Sequence, residues 1–215
     1  MHFTSSASLK QRKNLDVIVL PVWQEKKGGA LASEAKEFSA LVSLPLDSGD
    51  FRGKEGEILL LYPSKGPEKK VLLLGLGSRE KCTEESLRRA YASATKALHK
   101  KNKSMNVLLP ECEHLDSDSI CKAICEGVLL SHYTFDILKG EAAKEEAHTR
   151  PILDKICMIG GGKKCLEICD KAATIISSVN FARDLVNGNA DDVTPERLAS
   201  ALMFLLKNNN SIEEI

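Results

Sequence analysis

Asp191 and Asp192 stand side by side in a polar bend, and paired carboxylates are the residue type that holds hard divalent cations through oxygen. One adjacent pair does not build a two-metal cage, so the plainer reading is a solvated bend. A second acidic run, Asp47-Ser48-Gly49-Asp50, follows Leu44-Pro45-Leu46 and reads as a surface turn, because Asp, Ser and Gly are all turn formers. Gly75-Leu76-Gly77 lies between a strand and a helix, as a nucleotide-binding loop would. Position 80, however, is Glu rather than the third glycine of G-x-G-x-x-G, and its charge opposes a pyrophosphate. A tight turn is the better reading. The glycine triplet at 160–162, followed by Lys163-Lys164 and a helix start, is the stronger anion candidate. Its plainer reading is a strand-to-helix connection with solvated lysines.

Sulfur and imidazole are the remaining reactive groups. Seven cysteines are an odd number for a disulfide framework. Cys121/Cys125 and Cys165/Cys169 are each four residues apart, so each pair shares one face of a helix. A metal on either pair needs two more ligands, and structural zinc usually takes closer C-x-x-C knuckles. With Ile124, Leu166 and Ile168 as neighbours, these cysteines read as reduced thiols acting as small core hydrophobes. His2, His99, His114, His132 and His148 are scattered; His132 closes a helix, where a cation is favoured. No H-E-x-x-H, G-x-S-x-G or G-x-x-x-x-G-K-[ST] pattern occurs. The expectation is that the chain holds no catalytic, cofactor-binding or metal-ligating residue.

The elements that would position such groups follow from periodicity. Asp16 to Trp23 predicts a buried strand ended by the polar segment Gln24 to Gly29, and Leu31 to Phe38 a short helix. Glu57 to Tyr62 and Lys70 to Leu76 are nearly continuous apolar runs, which predicts strands covered on both faces. Thr83 to Lys101 predicts a helix whose stripe is Leu87, Ala90, Tyr91, Ala94, Ala97 and Leu98. Met105 to Leu109 is a strand, and Asp116 to His132 a helix with Ile120, Ala123, Ile124, Gly127 and Val128 inward. Lys139 to Arg150 is charged and reads as an exposed loop or hairpin. Lys155 to Ile159 is a last strand, and Lys164 to Asn187 a long helix with Leu166, Cys169, Ala173, Ile176, Val179 and Leu185 as its apolar positions. Thr194-Pro195-Glu196 starts another helix that runs out at Lys207-Asn208-Asn209-Asn210. The rhythm predicts an α/β fold, a mostly parallel sheet flanked by helices and followed by a long linker helix. The predicted divisions are an α/β domain at 1–162, a linker helix and bend at 163–190, and the start of a further domain at 191–215.

Composition sets the outer bounds. A chain of 215 residues with 43% hydrophobic content supports one large domain, or one domain and part of a second. Thirty basic residues balance thirty acidic ones, so charge points neither to nucleic acid nor to an anionic membrane. There is no apolar run long enough to span a bilayer, and Met1 to Ser6 lacks the basic start and apolar core of a secretory signal. A cytoplasmic location is expected.

Several stretches carry a family likeness. Arg183-Asp184-Leu185-Val186-Asn187, followed by Thr194-Pro195 and Leu198-Ala199, resembles the segment joining the two domains of the leucyl aminopeptidases, the cytosol aminopeptidase family. Gly53-Lys54 with Gly56-Glu57 is similar too, as are Val71 to Leu74 running into Gly75-Leu76-Gly77, Leu87-Arg88-Arg89-Ala90, and Tyr133-Thr134-Phe135-Asp136. The bend departs from the family at Asn189-Ala190-Asp191, where Pro-Pro-Asn or Pro-Ala-Asn is common. The resemblance implies a macro-like amino-terminal domain, a linking helix, and then a catalytic domain using two divalent cations, zinc or manganese. The family's ligand signatures, Lys with Asp-Ser-Gly-Gly and Asn-Thr-Asp-Ala-Glu-Gly-Arg, do not occur here; Asp47 to Asp50 only mimics part of the first.

By resemblance the chain is the non-catalytic amino-terminal part of a metalloexopeptidase that releases amino-terminal residues from peptides. It would be inactive alone, serve assembly and positioning, and self-associate as in the family's hexamers, with peptide bound only where the catalytic domain is present. Leu198, Leu202 and Leu205 would then lack a partner. The alternative is a macro-like module binding a nucleotide or ADP-ribose at the ends of its parallel strands.

Overall fold

The computed structural model describes residues 1–26, 28–99, 101–136, 140–141 and 152–207. At its centre is β2 (Val17–Glu25), with Val17 to Trp23 all buried. It pairs in parallel with β5 (Lys70–Gly75) on one side and β6 (Ser104–Leu108) on the other. Beyond β6 lies parallel β7 (Lys155–Ile159), and β1 (His2–Ser6) pairs in parallel with β7 at the margin. The opposite margin is β4 (Ile58–Leu61), antiparallel to β5, and β3 (Gly28–Leu31) folds back antiparallel on the end of β2. The order is β1-β7-β6-β2-β5-β4. This is the mixed α/β fold with a mostly parallel sheet that the strand and helix rhythm predicts.

Side chains alternate across a strand, and β2 and β5 divide their apolar residues between two cores accordingly. Val17, Val19, Leu72 and Leu74 face a layer built by α2 (Glu84–Leu98), α3 (Ser117–Ser131) and the start of α4 (Cys165–Asn187). Ile18, Leu20, Val71 and Leu73 face Leu9, Phe38, Val42 and Phe51, of which Val42 lies on α1 (Ser39–Asp47) while Phe38 and Phe51 flank it. Both helix starts are capped. Ser86 N–H donates to Thr83 Oγ1 at 3.1 Å, and Ser119 N–H donates to Asp116 Oδ1 at 2.8 Å.

Several details depart from the sequence expectations. β1 was not expected, because Phe3 is its one large apolar residue and an edge strand needs little more. Gln24 and Glu25 do not end the strand plainly but pair antiparallel with Gly29 and Gly28. A 3₁₀ turn covers Ser33–Phe38, and α1 follows where no helix was expected; Pro45 lies inside it and it stops two residues later. β4 is half-buried and Tyr62 is 68% exposed, because an edge strand is covered less than a central one. In α2, Ala97 points outward and Thr95 is buried in its place. In α4 the inward stripe is Cys165, Cys169, Ala172 and Ile176, while Leu166 and Val179 are exposed. Steps of four, three and four residues hold that stripe to one face, and Leu166 sits about 100° away from it.

The chain divides into two compact units, Met1–Ile176 and Ser177–Ile215. The first contains the sheet and both cores. The second contains the rest of α4, a bend, and α5 (Pro195–Lys207). In the bend Asn189 Oδ1 accepts the N–H groups of Asp191 and Asp192 at 2.7 and 3.0 Å, and Thr194 Oγ1 accepts from Arg197 N–H at 3.3 Å. Leu198, Leu202 and Met203 are exposed, whereas the Leu205 side chain and Asn208 to Asn210 lie outside the described residues. The predicted excursion at 139–150 falls almost wholly outside them too. Among the described residues, no helix is long and apolar enough to cross a membrane.

Candidate functional site

Open α/β sheets bind ligands beyond the carboxyl ends of their parallel strands. Here β6 runs out through Leu109-Pro110-Glu111-Cys112 and β7 through Gly160, and the first turn of α3 closes the gap with Ser117. The result is a cavity of about 270 Å³. Among the described residues of its lining, Glu111 is the charged one and no lysine or arginine contributes. A carboxylate without a facing cation opposes a phosphate ligand.

The glycine triplet beside this cavity serves the backbone. Gly160 and Gly162 hold φ of 86° and 73°, and Gly160 N–H donates to the Ser6 carbonyl at 3.0 Å. A Cβ on Gly161 would stand 2.5 Å from Cys165 Sγ. Lys163 is exposed, and Lys164 Nζ lies 3.8 Å from Asp118 Oδ2. The triplet is thus a strand-to-helix connection, and its lysines do not converge on an anion.

Gly75-Leu76-Gly77 is likewise structural, and its partner is the other glycine motif. Gly75 N–H donates to the Glu57 carbonyl at 2.8 Å, Gly56 N–H to the Gly75 carbonyl at 3.0 Å, and Gly77 N–H to the Gly53 carbonyl at 2.8 Å. A Cβ on Gly75 would meet the Lys54 carbonyl oxygen at 2.0 Å, so two backbones cross here at a distance only glycine permits. Glu57 fixes the crossing strand, its Oε2 accepting the N–H groups of Arg52 and Lys54 at 2.9 and 3.0 Å. Sequence reasoning missed that role, although Glu57 directly follows the Gly53-x-x-Gly56 spacing.

The acidic candidates stay apart. Ser48 Oγ donates to Asp50 Oδ2 at 2.8 Å within a turn where Gly49 holds φ of 78°, and Asp192 pairs with Arg197 at 3.2 Å. His132 and His99 lie with ring centroids 5.2 Å apart. Burial, and then the neighbouring His99, hold His132 below its ordinary value of 6.5, which opposes the cation that a helix end favours. His114 is exposed and His2 sits on β1, while His148 lies outside the described residues. Arg12 makes a buried pair with Glu68 and reaches Glu37 at 2.6 Å, which ties the chain start to the sheet. Burial, then Cys112, pushes the Cys82 thiol up to about 12. The one unforeseen convergence of ligand atoms among the described residues is sulfur: the two cysteine pairs meet between α3 and α4.

The fold and these motifs agree with comparisons to known proteins. The model of the cytosol aminopeptidase family's N-terminal domain matches residues 19–142. A probable cytosol aminopeptidase of Protochlamydia amoebophila is 41% identical over 210 residues, covering 95% of this chain and 41% of that protein. Another, from Chlamydia abortus, is 38% identical over 217 residues, covering 98% and 42%. The chain therefore spans about two fifths of the length of the curated relatives it matches. A solved structure of a tomato leucine aminopeptidase mutant superposes with a TM-score of 0.78 at 19% identity, over 96% of this chain and 42% of that one. At that identity the likeness is one of fold alone.

Proposed function

The chain belongs to the cytosol aminopeptidase family, and from that premise we propose that it forms the amino-terminal, non-catalytic part of a leucyl-aminopeptidase-like metalloexopeptidase. The complete enzyme would release amino-terminal residues from peptides in the cytoplasm. The observation that carries this reading is the match of residues 19–142 to the family's N-terminal domain. Two-metal peptide hydrolysis needs carboxylates, and in this family a lysine, gathered around two cations that activate water and polarise the carbonyl. The described residues do not fit that pair of zinc or manganese ions. The group here that could hold a metal is sulfur, and the acidic candidates are spent on turns and surface ion pairs. No hydrolytic step is assigned to this chain.

Its work in this reading is to fold, to present α5, and to support the family's hexameric assembly. Leu198, Leu202 and Met203 are 39%, 48% and 53% exposed, which supports α5 as a face for the remainder of the enzyme. The nucleotide alternative gains no support from the strand-end cavity, whose charged residue is Glu111.

The test is leucine release from a chromogenic leucine anilide by the purified chain with added Mn²⁺ or Zn²⁺, beside the complete Protochlamydia enzyme. No release above blank is expected from this chain, and metal-dependent release overturns the reading. Light scattering on the same sample reports its oligomeric mass.

A further inference from the structure

The two cysteine pairs face each other across α3 and α4. Cys121 Sγ lies 3.1 Å from Cys165 Sγ, and the sulfurs of Cys121, Cys165 and Cys169 all fall within 4.8 Å of one another. All three residues are 0% exposed. Cys125 directs its thiol to the Cys169 carbonyl oxygen at 3.9 Å. The peptidase reading uses none of these groups.

We propose that Cys121, Cys165 and Cys169 form a binding site for a single thiophilic d¹⁰ cation, Zn²⁺ or Cu⁺, that ties α3 to α4. Thiolates are soft ligands and select such ions over the hard cations that carboxylates hold. Sulfurs bound at about 2.3 Å to one ion stand roughly 3.8–4.0 Å apart, so each sulfur here needs to move by less than about 1 Å.

Two further observations support the site. Cys165 is the first residue of α4, where the positive end of the helix favours a thiolate. Gly161 leaves the room that the Cys165 sulfur occupies, since a Cβ there would lie 2.5 Å from it. A cation at the centre of the cluster takes the place of the thiol protons. The ligand thiols release their protons to solvent on binding, so affinity falls as pH falls.

The test uses the 215-residue chain, reduced, stripped of metal, and titrated without oxygen with Zn²⁺, Cu⁺ and, as a spectroscopic probe, Co²⁺. One equivalent of Co²⁺ is expected to give thiolate-to-metal charge-transfer absorption that Zn²⁺ abolishes. A free ion concentration about 100 times Kd should raise the melting temperature by roughly 5–10 °C. Comparing Zn²⁺ with Cu⁺ at equal free concentration identifies the preferred ion. Cys121→Ala and Cys165→Ala should each weaken binding by more than the ~10–100-fold that loss of an outer-shell partner costs, whereas Cys82→Ala should leave it unchanged. If either variant fails to fold, alkylation of the native chain decides. Relative to the metal-free chain under the same mildly denaturing conditions, the bound ion should slow alkylation of Cys121, Cys165 and Cys169 but not of Cys82, and equal slowing of all the cysteines overturns the site. So does silence with all three ions, binding retained by Cys165→Ala, or a purified chain whose mass lacks two hydrogens and whose Cys121 and Cys165 are joined as a disulfide.

Discussion

The glycine crossing at Gly53–Gly77 and the bend at Asn187–Ala199 carry the same family likeness on different physical grounds. In the crossing the backbone decides: Gly75 faces the Lys54 carbonyl at a distance that no side chain tolerates, and reciprocal N–H to carbonyl bonds lock the two segments. In the bend side chains decide: Asn189 accepts two backbone N–H groups and Thr194 caps α5, while Val186 is 84% exposed. One motif builds the first unit from within. The other shapes a surface in the second. Like motifs therefore do not imply a shared role.

Four changes probe that contrast, starting with the largest expected loss. Gly75→Ala forces a Cβ onto the Lys54 carbonyl and should cost about 3 kcal/mol or more in urea unfolding of the chain. Glu57→Ala removes an acceptor shared by two backbone N–H groups, for an expected loss of about 2 kcal/mol in the same measurement. Thr194→Ala should cost about 1 kcal/mol within α5 alone, read as lost amide protection there while protection in β2 and β5 is unchanged. Leu202→Ser should change unfolding of the chain by less than about 0.5 kcal/mol, because the residue is already 48% exposed. If Gly75→Ala proved as mild as Thr194→Ala, the contrast between the two regions would fail.

A pH titration sharpens the account of the first unit. His132 is held below its ordinary value of 6.5 in the fold, so the unfolded chain binds its proton first as acid is added. Its contribution is present above about pH 6.5 and is lost as pH falls through the lower, folded value. His132→Asn should flatten that part of the stability curve, and an unchanged slope would remove His132 as its source.

Much of the first unit was legible from the residues alone. Val17 to Trp23, Val71 to Leu74 and Met105 to Leu108 are long apolar runs, and both main helices carry a capping residue at the predicted start. What escaped depends on contacts rather than pattern. β1 offers little but Phe3, and its edge position comes from register with β7. α1 was hidden by Pro45, which signals a break while tolerating the turn before it. The inward face of α4 was read one position off at Leu166, because a helix this apolar shows no sharp stripe. The sulfur cluster joins residues 44 positions apart, so neither pair could announce the other.

The most direct measurement is activity in a chimaera: the Protochlamydia aminopeptidase with its matching amino-terminal region replaced by this chain, assayed for leucine release and oligomeric mass. The account predicts that the chimaera assembles like its parent and keeps metal-dependent activity, with the chain supplying structure and no catalytic group. A folded chimaera that neither assembles nor cleaves, or a chain that releases leucine unaided, would contradict it.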